Sequence, residues 1–216
     1  MQLFLDTANI EEIREGVNTG IVSGVTTNPS IISRENKPFG KCISDIFSVD
    51  PGLTLLVEVI SMETEDMIKE AREISNISDN IVIKIPMTIG GIAAVKALSK
   101  ESIKTAVTLV FSLNQAIVAS CAGANYVAPF VGRLDDINAD GVKLVKDIKK
   151  LFDIQKTKTE IIAASIRTPQ AVAELFSAGC DIITLPIKIF KAMFKHSLTD
   201  SGIKQFIKDW EKVPLL

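Results

Sequence analysis

Ile81-Val82-Ile83-Lys84-Ile85-Pro86 is apolar at every position but one. A run of this kind suits a strand buried on both faces, as in a parallel sheet with helices on its sides. The exception is a lysine. Burial disfavours the charged form of an amine, and complete burial lowers such a pKa by ~3–5 units. A neutral amine at pH 7 is a nucleophile that attacks carbonyls to form a Schiff base. Against this stands a plainer reading, in which the stem packs and the ammonium reaches water at a strand end. Lys84 alone favours the plainer reading, so its surroundings decide.

Outward from this strand, β-rich runs alternate with helical patterns along the whole chain. The runs cover 3–7, 24–28, 53–60, 81–86, 105–111, 126–131, 160–165 and 181–186. Helical stretches cover 9–16, 39–47, 64–75, 91–99, 114–122, 141–152, 169–177 and 187–195. Parallel strands need crossover helices, so eight such alternations predict a parallel sheet. Their number and spacing fit a closed (β/α)8 TIM barrel better than an open sheet. A doubly wound sheet is the competing architecture, but no G-x-G-x-x-G follows the first strand and no Walker lysine motif occurs.

The 216 residues and 47% hydrophobic content suit a single domain over 1–216. One helix is surplus to the barrel, at 199–212, with Ile203, Phe206, Ile207 and Trp210 on one stripe. The stripe either folds back on its own subunit or docks on a neighbour. A net charge of −2 favours neither nucleic acid nor an anionic membrane as partner. The strand-like start Leu3-Phe4-Leu5 carries no basic stretch, so no secretory leader is expected. No apolar run approaches the ~20 residues that span a bilayer. Three cysteines without metal-like spacing suit a reducing cytoplasm. A single histidine excludes a multi-histidine metal site, and His196 itself reads as a helix-terminal cation.

In a (β/α)8 barrel the chemistry sits at the C-terminal ends of the strands. Polar residues stand there in order: Asp6, then Thr26, Thr27 and Asn28, then Glu58, Lys84, Thr108, Arg133, Ser165 and Arg167. Each has an ordinary explanation. Asp6 can cap a helix, Thr-Thr-Asn-Pro can be a turn, Glu58 can pair with Lys84, and Arg133 can pair with Asp135 or Asp136. Their joint appearance at one end of a barrel points instead to a site, because buried charges are rare unless used or paired. The chemistry suggested is imine-based carbon–carbon cleavage, with Lys84 as nucleophile and Asp6 and Glu58 moving protons. Arg133, Arg167 and the Ser165 hydroxyl suit a phosphate on the substrate.

Five segments carry a resemblance that runs over essentially the whole chain. They are Leu5-Asp6-Thr7-Ala8, Gly24-Val25-Thr26-Thr27-Asn28-Pro29-Ser30, Val82-Ile83-Lys84-Ile85-Pro86-Met87-Thr88, Phe130-Val131-Gly132-Arg133 and Ala164-Ser165-Ile166-Arg167. Together the sequence resembles the transaldolase family, in its short subfamily that includes fructose-6-phosphate aldolase. The resemblance implies that Lys84 is the Schiff-base lysine and Asp6 an acid/base group. It makes Glu58 a carboxylate working through a water held with Thr108. It also places Thr27, Asn28 and Phe130 against substrate and gives the phosphate to Arg133, Ser165 and Arg167. No metal or organic cofactor is implied. The implied assembly is a pentamer or decamer, with the C-terminal helix reaching a neighbour.

The aldolases of this subfamily resemble a pattern with glutamine in place of Glu58 and tyrosine in place of Phe130. A carboxylate can take and return a proton, whereas an amide cannot. The residues present therefore favour transfer of a dihydroxyacetone unit between sugar phosphates, as in the pentose phosphate pathway. The alternatives are fructose-6-phosphate aldolase and a non-catalytic sugar-phosphate-binding barrel. Ala106 departs from the family pattern, in which asparagine is common there and adds a hydrogen bond in the pocket.

Overall fold

Side chains two apart on a strand share a face. Closing eight strands into a ring turns that rule into two cores. The computed structural model describes residues 1–214. Its strands are β1 (Gln2–Asp6), β2 (Val22–Thr26), β3 (Thr54–Glu58), β4 (Ile81–Pro86), β5 (Thr105–Val110), β6 (Tyr126–Pro129), β7 (Glu160–Ala163) and β8 (Ile182–Leu185). All pair in parallel in sequence order, and β8 returns to β1 to close the barrel. The chain is a (β/α)8 barrel.

The helices are α1 (Ile10–Val17), α2 (Pro29–Arg34), α3 (Phe39–Val49), α4 (Thr64–Ser75), α5 (Ile89–Lys100) and α6 (Leu113–Ala122), followed by α7 (Val131–Asp135), α8 (Gly141–Gln155), α9 (Pro169–Ser177), α10 (Ile187–Ala192) and α11 (Ser197–Trp210). Their apolar faces and the outward strand residues, such as Leu5, Leu55, Ile83, Val107 and Ile183, form the large outer core. The inner core is small. It takes Phe4, Leu56, Val82, Ala106, Ala128, Ile162 and Ile182, one from each strand except β2. There β2 presents Gly24, because a Cβ would stand 2.7 Å from the Phe4 ring. The Phe4 ring fills the place of the missing side chain, and the plug seals the middle of the barrel.

The expected β4, α4 and α9 have the observed bounds, and the other strand boundaries move by a few residues. Two short helices depart from expectation. The segment Pro29–Arg34 folds as α2, with Asn28 as N-cap and Pro29 in the first turn. That is a helix-start signal in its own right. The strand expected at 126–131 stops at Pro129, because Phe130 becomes the residue before α7. His196 is corrected as well. It caps the N-terminus of α11, its Nδ1 accepting from the Leu198 N–H at 3.2 Å, instead of closing a helix C-terminus as a cation.

The stripe on α11 does not fold back onto the barrel. Ile203, Phe206, Ile207 and Trp210 are 52–75% exposed, and no residue of the helix is buried. Among the described residues no helix is long and apolar enough to cross a membrane.

The strand that carries Lys84 leaves no room for the helix after it to shift. Gly91, at the start of α5, lies so close to β4 that a Cβ would sit 2.2 Å from the Pro86 carbonyl oxygen. Its N–H is meanwhile held by the Thr88 hydroxyl at 2.9 Å. Gly91→Ala must push backbone against backbone, and overpacking of this kind costs about 1–3 kcal/mol. Thermal unfolding should register a fall of roughly 2–4 °C per kcal/mol for a chain of this size. An unchanged melting temperature would show that α5 is free to move off β4.

Candidate active site

Two residues beyond the apolar plug, each strand presents its next inward side chain. In order these are Asp6, Thr26, Glu58, Lys84, Thr108, Phe130, Ala164 and Thr184. The layer is mostly polar and lies at the C-terminal end of the barrel. An inner pocket of about 130 Å3 is lined by six of them, Asp6, Thr26, Lys84, Phe130, Ala164 and Thr184. It shares Asp6, Asn28, Phe130 and Arg133 as wall with an outer cavity of about 780 Å3.

Lys84 is 4% exposed. Its Nζ donates to the Thr27 carbonyl oxygen at 2.8 Å and lies 3.0 Å from Glu58 Oε2. The second contact follows from register, since Glu58 and Lys84 are direct partners across β3 and β4. The pairing that sequence alone offers as an ordinary explanation for Glu58 is therefore present. It also sits in the cavity wall, with Glu58 lining the outer chamber and Lys84 the inner one. On the other side Lys84 is the partner of Ala106, whose buried methyl belongs to the plug.

Asp6 Oδ1 accepts from Thr26 Oγ1 at 2.8 Å, and the Thr26 and Thr184 hydroxyls lie 2.6 Å apart. Burial pushes the Asp6 carboxyl above its ordinary value, opposed by the Thr26 hydroxyl and by the charges of Lys84 and Arg34. The hydroxyl pair Thr26 and Thr184 escaped the sequence reading as a unit. Its signal was a threonine in Ile182-Ile183-Thr184-Leu185, two residues beyond an inward isoleucine. Thr108 is fully buried and its hydroxyl has no hydrogen-bond partner among the described residues. A buried hydroxyl in that condition calls for a water or a substrate group.

The remaining expected residues divide. Thr27 offers the site its carbonyl, because its hydroxyl is held by the Leu56 carbonyl at 2.9 Å and its side chain lines neither chamber. Asn28 lines both chambers while its Oδ1 caps α2, accepting from the Ile31 N–H at 2.9 Å, which leaves its Nδ2 to a ligand. Arg133 lies over the Phe130 ring, 5.0 Å from its centroid, and faces both chambers. Ser165 lines the inner pocket with a left-handed backbone, φ 63°. That conformation costs a non-glycine residue about 1–3 kcal/mol and tends to persist at functional sites. It is held by the first turn of α7, where Gly132 N–H donates to the Ser165 carbonyl at 3.1 Å.

Arg167 is the departure. It lines neither chamber, and its guanidinium forks onto Asp136 at 2.6 and 2.5 Å. The surface pair that the sequence offers to Arg133 is made by Arg167 instead.

Comparison with known proteins shows which family the sequence matches. Residues 3–215 match the model of the family described as Transaldolase/Fructose-6-phosphate aldolase. A probable transaldolase of Caldicellulosiruptor saccharolyticus is 55% identical over 215 residues, covering 99% of each chain. Probable transaldolases of Hydrogenobaculum sp. and Aquifex aeolicus are 52% and 50% identical, over 99% of this chain and 98% of theirs.

The raised pKa of Asp6 has a consequence for stability. The folded protein holds this proton more tightly than the unfolded chain, so ionising Asp6 costs stability. The cost is absent below the ordinary value of 3.8 and is complete above the folded-state value. Asp6→Asn keeps an acceptor for Thr26 and removes the charge. It should melt at a higher temperature than wild type at neutral pH, with the gain closing as pH falls toward 3.8. A difference independent of pH would mean that burial of this charge is not what the substitution relieves.

Proposed function

The chain belongs to the transaldolase/fructose-6-phosphate aldolase family, and from that premise we propose that it is a transaldolase moving a dihydroxyacetone unit between sugar phosphates. The observation that carries the reading is a buried lysine at the floor of a cavity, 3.0 Å from a carboxylate. A structural ion pair has no need of an open chamber beside it.

Lys84 Nζ, relieved of a proton by Glu58, attacks the ketone carbon of the donor. The carbinolamine formed loses its hydroxyl as water, with a proton delivered to that oxygen, and leaves a protonated imine. Asp6 then takes the proton of the hydroxyl on the far carbon of the scissile bond, the carbon that becomes the aldehyde. The bond breaks, its electrons pass to the imine nitrogen, and an aldose phosphate departs. The remaining enamine attacks the aldehyde of a second aldose phosphate, and Asp6 returns its proton to the new hydroxyl. Hydration of the imine frees the ketose and the lysine. A carboxyl whose pKa burial raises holds a proton more readily than an ordinary aspartate, which suits Asp6 to giving and taking one.

Glu58 and the orphan hydroxyl of Thr108 are the residues to hold the water of the dehydration and hydration steps. Asn28 Nδ2 faces substrate hydroxyls, and Arg133 and Ser165 face the phosphate. Thr27 supports this set through its carbonyl, and Arg167 joins it only by releasing Asp136. Phe130 has no hydroxyl with which to position a water against the enamine, which favours transfer to an aldehyde over release of dihydroxyacetone. Sugar-phosphate chemistry of this type belongs to the pentose phosphate pathway, and the three free thiols suit the cytoplasm.

Two tests apply. Borohydride reduction with fructose 6-phosphate should trap a stable adduct on Lys84 in wild type and none in Lys84→Ala; no adduct in wild type refutes the imine. Erythrose 4-phosphate should then accelerate fructose 6-phosphate consumption at least severalfold. Cleavage that ignores the acceptor would make the protein an aldolase.

The exposed stripe of α11 extends the reading to assembly. The stripe covers a neighbouring subunit in a pentamer or decamer, with 1–216 forming one domain. Light scattering should give a mass several times the 23.4 kDa of the chain. Truncation before Ile203 should lower it, and an unchanged mass would place the contacts elsewhere.

A further inference from the structure

The outer cavity carries three basic side chains, Arg34, Arg133 and Lys188. Among the described residues none of them makes a salt bridge, whereas Arg167 is forked onto Asp136. Arg34 is not among the residues that either the strand ends or the family resemblance singles out. It stands at the end of α2, where Ile31 and Arg34 lie three apart on one face and both line the cavity. The orientation is fixed at the other end of the helix by the Asn28 cap and Pro29. In a closed ring of eight strands in sequence order, β2 and β6 stand opposite one another. Arg34, after β2, and Arg133, after β6, therefore come from opposite sides of the ring to line one cavity.

We propose that Arg34 is a phosphate-binding, specificity-determining residue, which with Arg133 clamps the phosphate of the sugar substrate from opposite rims of the cavity. The proposal rests on the sugar-phosphate reading of the site given above. A guanidinium presents a rigid fork to phosphate, and a dianion between two such forks is met on both sides. Arg34 and Asp6 line the same cavity, and the Arg34 charge acts to lower that carboxyl's pKa. Glu35 lines the same cavity without an ion pair of its own, so an empty mouth is not left purely cationic. Lys188 adds charge on the neighbouring rim but lacks the fork.

Steady-state kinetics of Arg34→Ala, with Arg34→Lys beside it, tests the assignment. Loss of a charge-assisted contact should raise KM for fructose 6-phosphate by roughly tenfold to a hundredfold, with kcat changed far less. Competitive inhibition by inorganic phosphate should weaken in parallel. Turnover of unphosphorylated fructose, read as kcat/KM, should fall by much less than that of fructose 6-phosphate, because the lost phosphate contact is absent from fructose while any effect on Asp6 is common to both. Arg34→Lys should fall between wild type and Arg34→Ala. Equal losses on fructose and fructose 6-phosphate, or no loss on either, would overturn the proposal. Borohydride trapping in Arg34→Ala keeps the outcomes apart. An intact adduct with an unchanged phosphate preference removes only Arg34, whereas no adduct in wild type removes the reading beneath it.

Discussion

Closing eight parallel strands into a ring forces every second side chain inward, and the ring has room for only a few layers of them. The structure depends on that constraint. The plug formed by Phe4, Leu56, Val82, Ala106, Ala128, Ile162 and Ile182 uses up one layer. The next is compelled to contain Asp6, Thr26, Lys84 and Thr184 around one small space, with Glu58 against Lys84 at its edge. A charge there must be met at once, because desolvation of an unpaired ammonium costs several kcal/mol. Lys84 is met from two strands, by the Glu58 carboxylate across the β3–β4 pair and by the Thr27 carbonyl at the end of β2. The same geometry that stabilises the buried amine brings a proton acceptor to its nitrogen.

Period two also explains what was legible in the sequence. Phe4 with Asp6, Leu56 with Glu58, Val82 with Lys84 and Ala106 with Thr108 each put an apolar residue two places before a polar one. Alternation of that kind in apolar runs marks both the strand and its site end. Ile182 with Thr184 follows the same rule, yet a threonine is at home in any strand and gives no alarm. Short helices were harder. α2 and α7 have six and five residues, too few for a helical period to emerge, and only the cap chemistry of Asn28-Pro29 announces the first. Partner choice was illegible altogether. Asp136 is three residues from Arg133 in sequence, but the turn of α7 turns it toward Arg167, 31 residues on.

Strain gathers at the same end of the barrel. Leu109 and Ser165 both adopt left-handed backbones, at φ 60° and 63°, and both line the chambers. Leu109 falls where β5 slips register against β6, between Val107 and Val110. A bulge of this kind lets a strand re-aim its last side chains. Ser165 is over-determined from outside, since a Cβ on Gly132 would stand 2.1 Å from its carbonyl oxygen. Only glycine lets α7 approach closely enough for the Gly132 N–H to hold that carbonyl. The bent segment then aims the Ser165 side chain inward, and local backbone geometry becomes part of the site.

Charge divides by depth in a way that follows from the cost of burial. Inside, Lys84 is paired with Glu58 and Asp6 is held by Thr26, because a buried charge left unmet is costly. At the mouth, water can solvate an unpaired guanidinium at little cost, and there Arg34, Arg133 and Lys188 stand without acidic partners. Arg133 is steadied instead by the face of Phe130, which orders the side chain without neutralising it. A sugar phosphate suits that gradient. Its dianion stays at the wet rim where cations are free, and its neutral carbonyl passes down to the paired layer. The depth of the barrel therefore sorts the two ends of the substrate before any bond is made or broken.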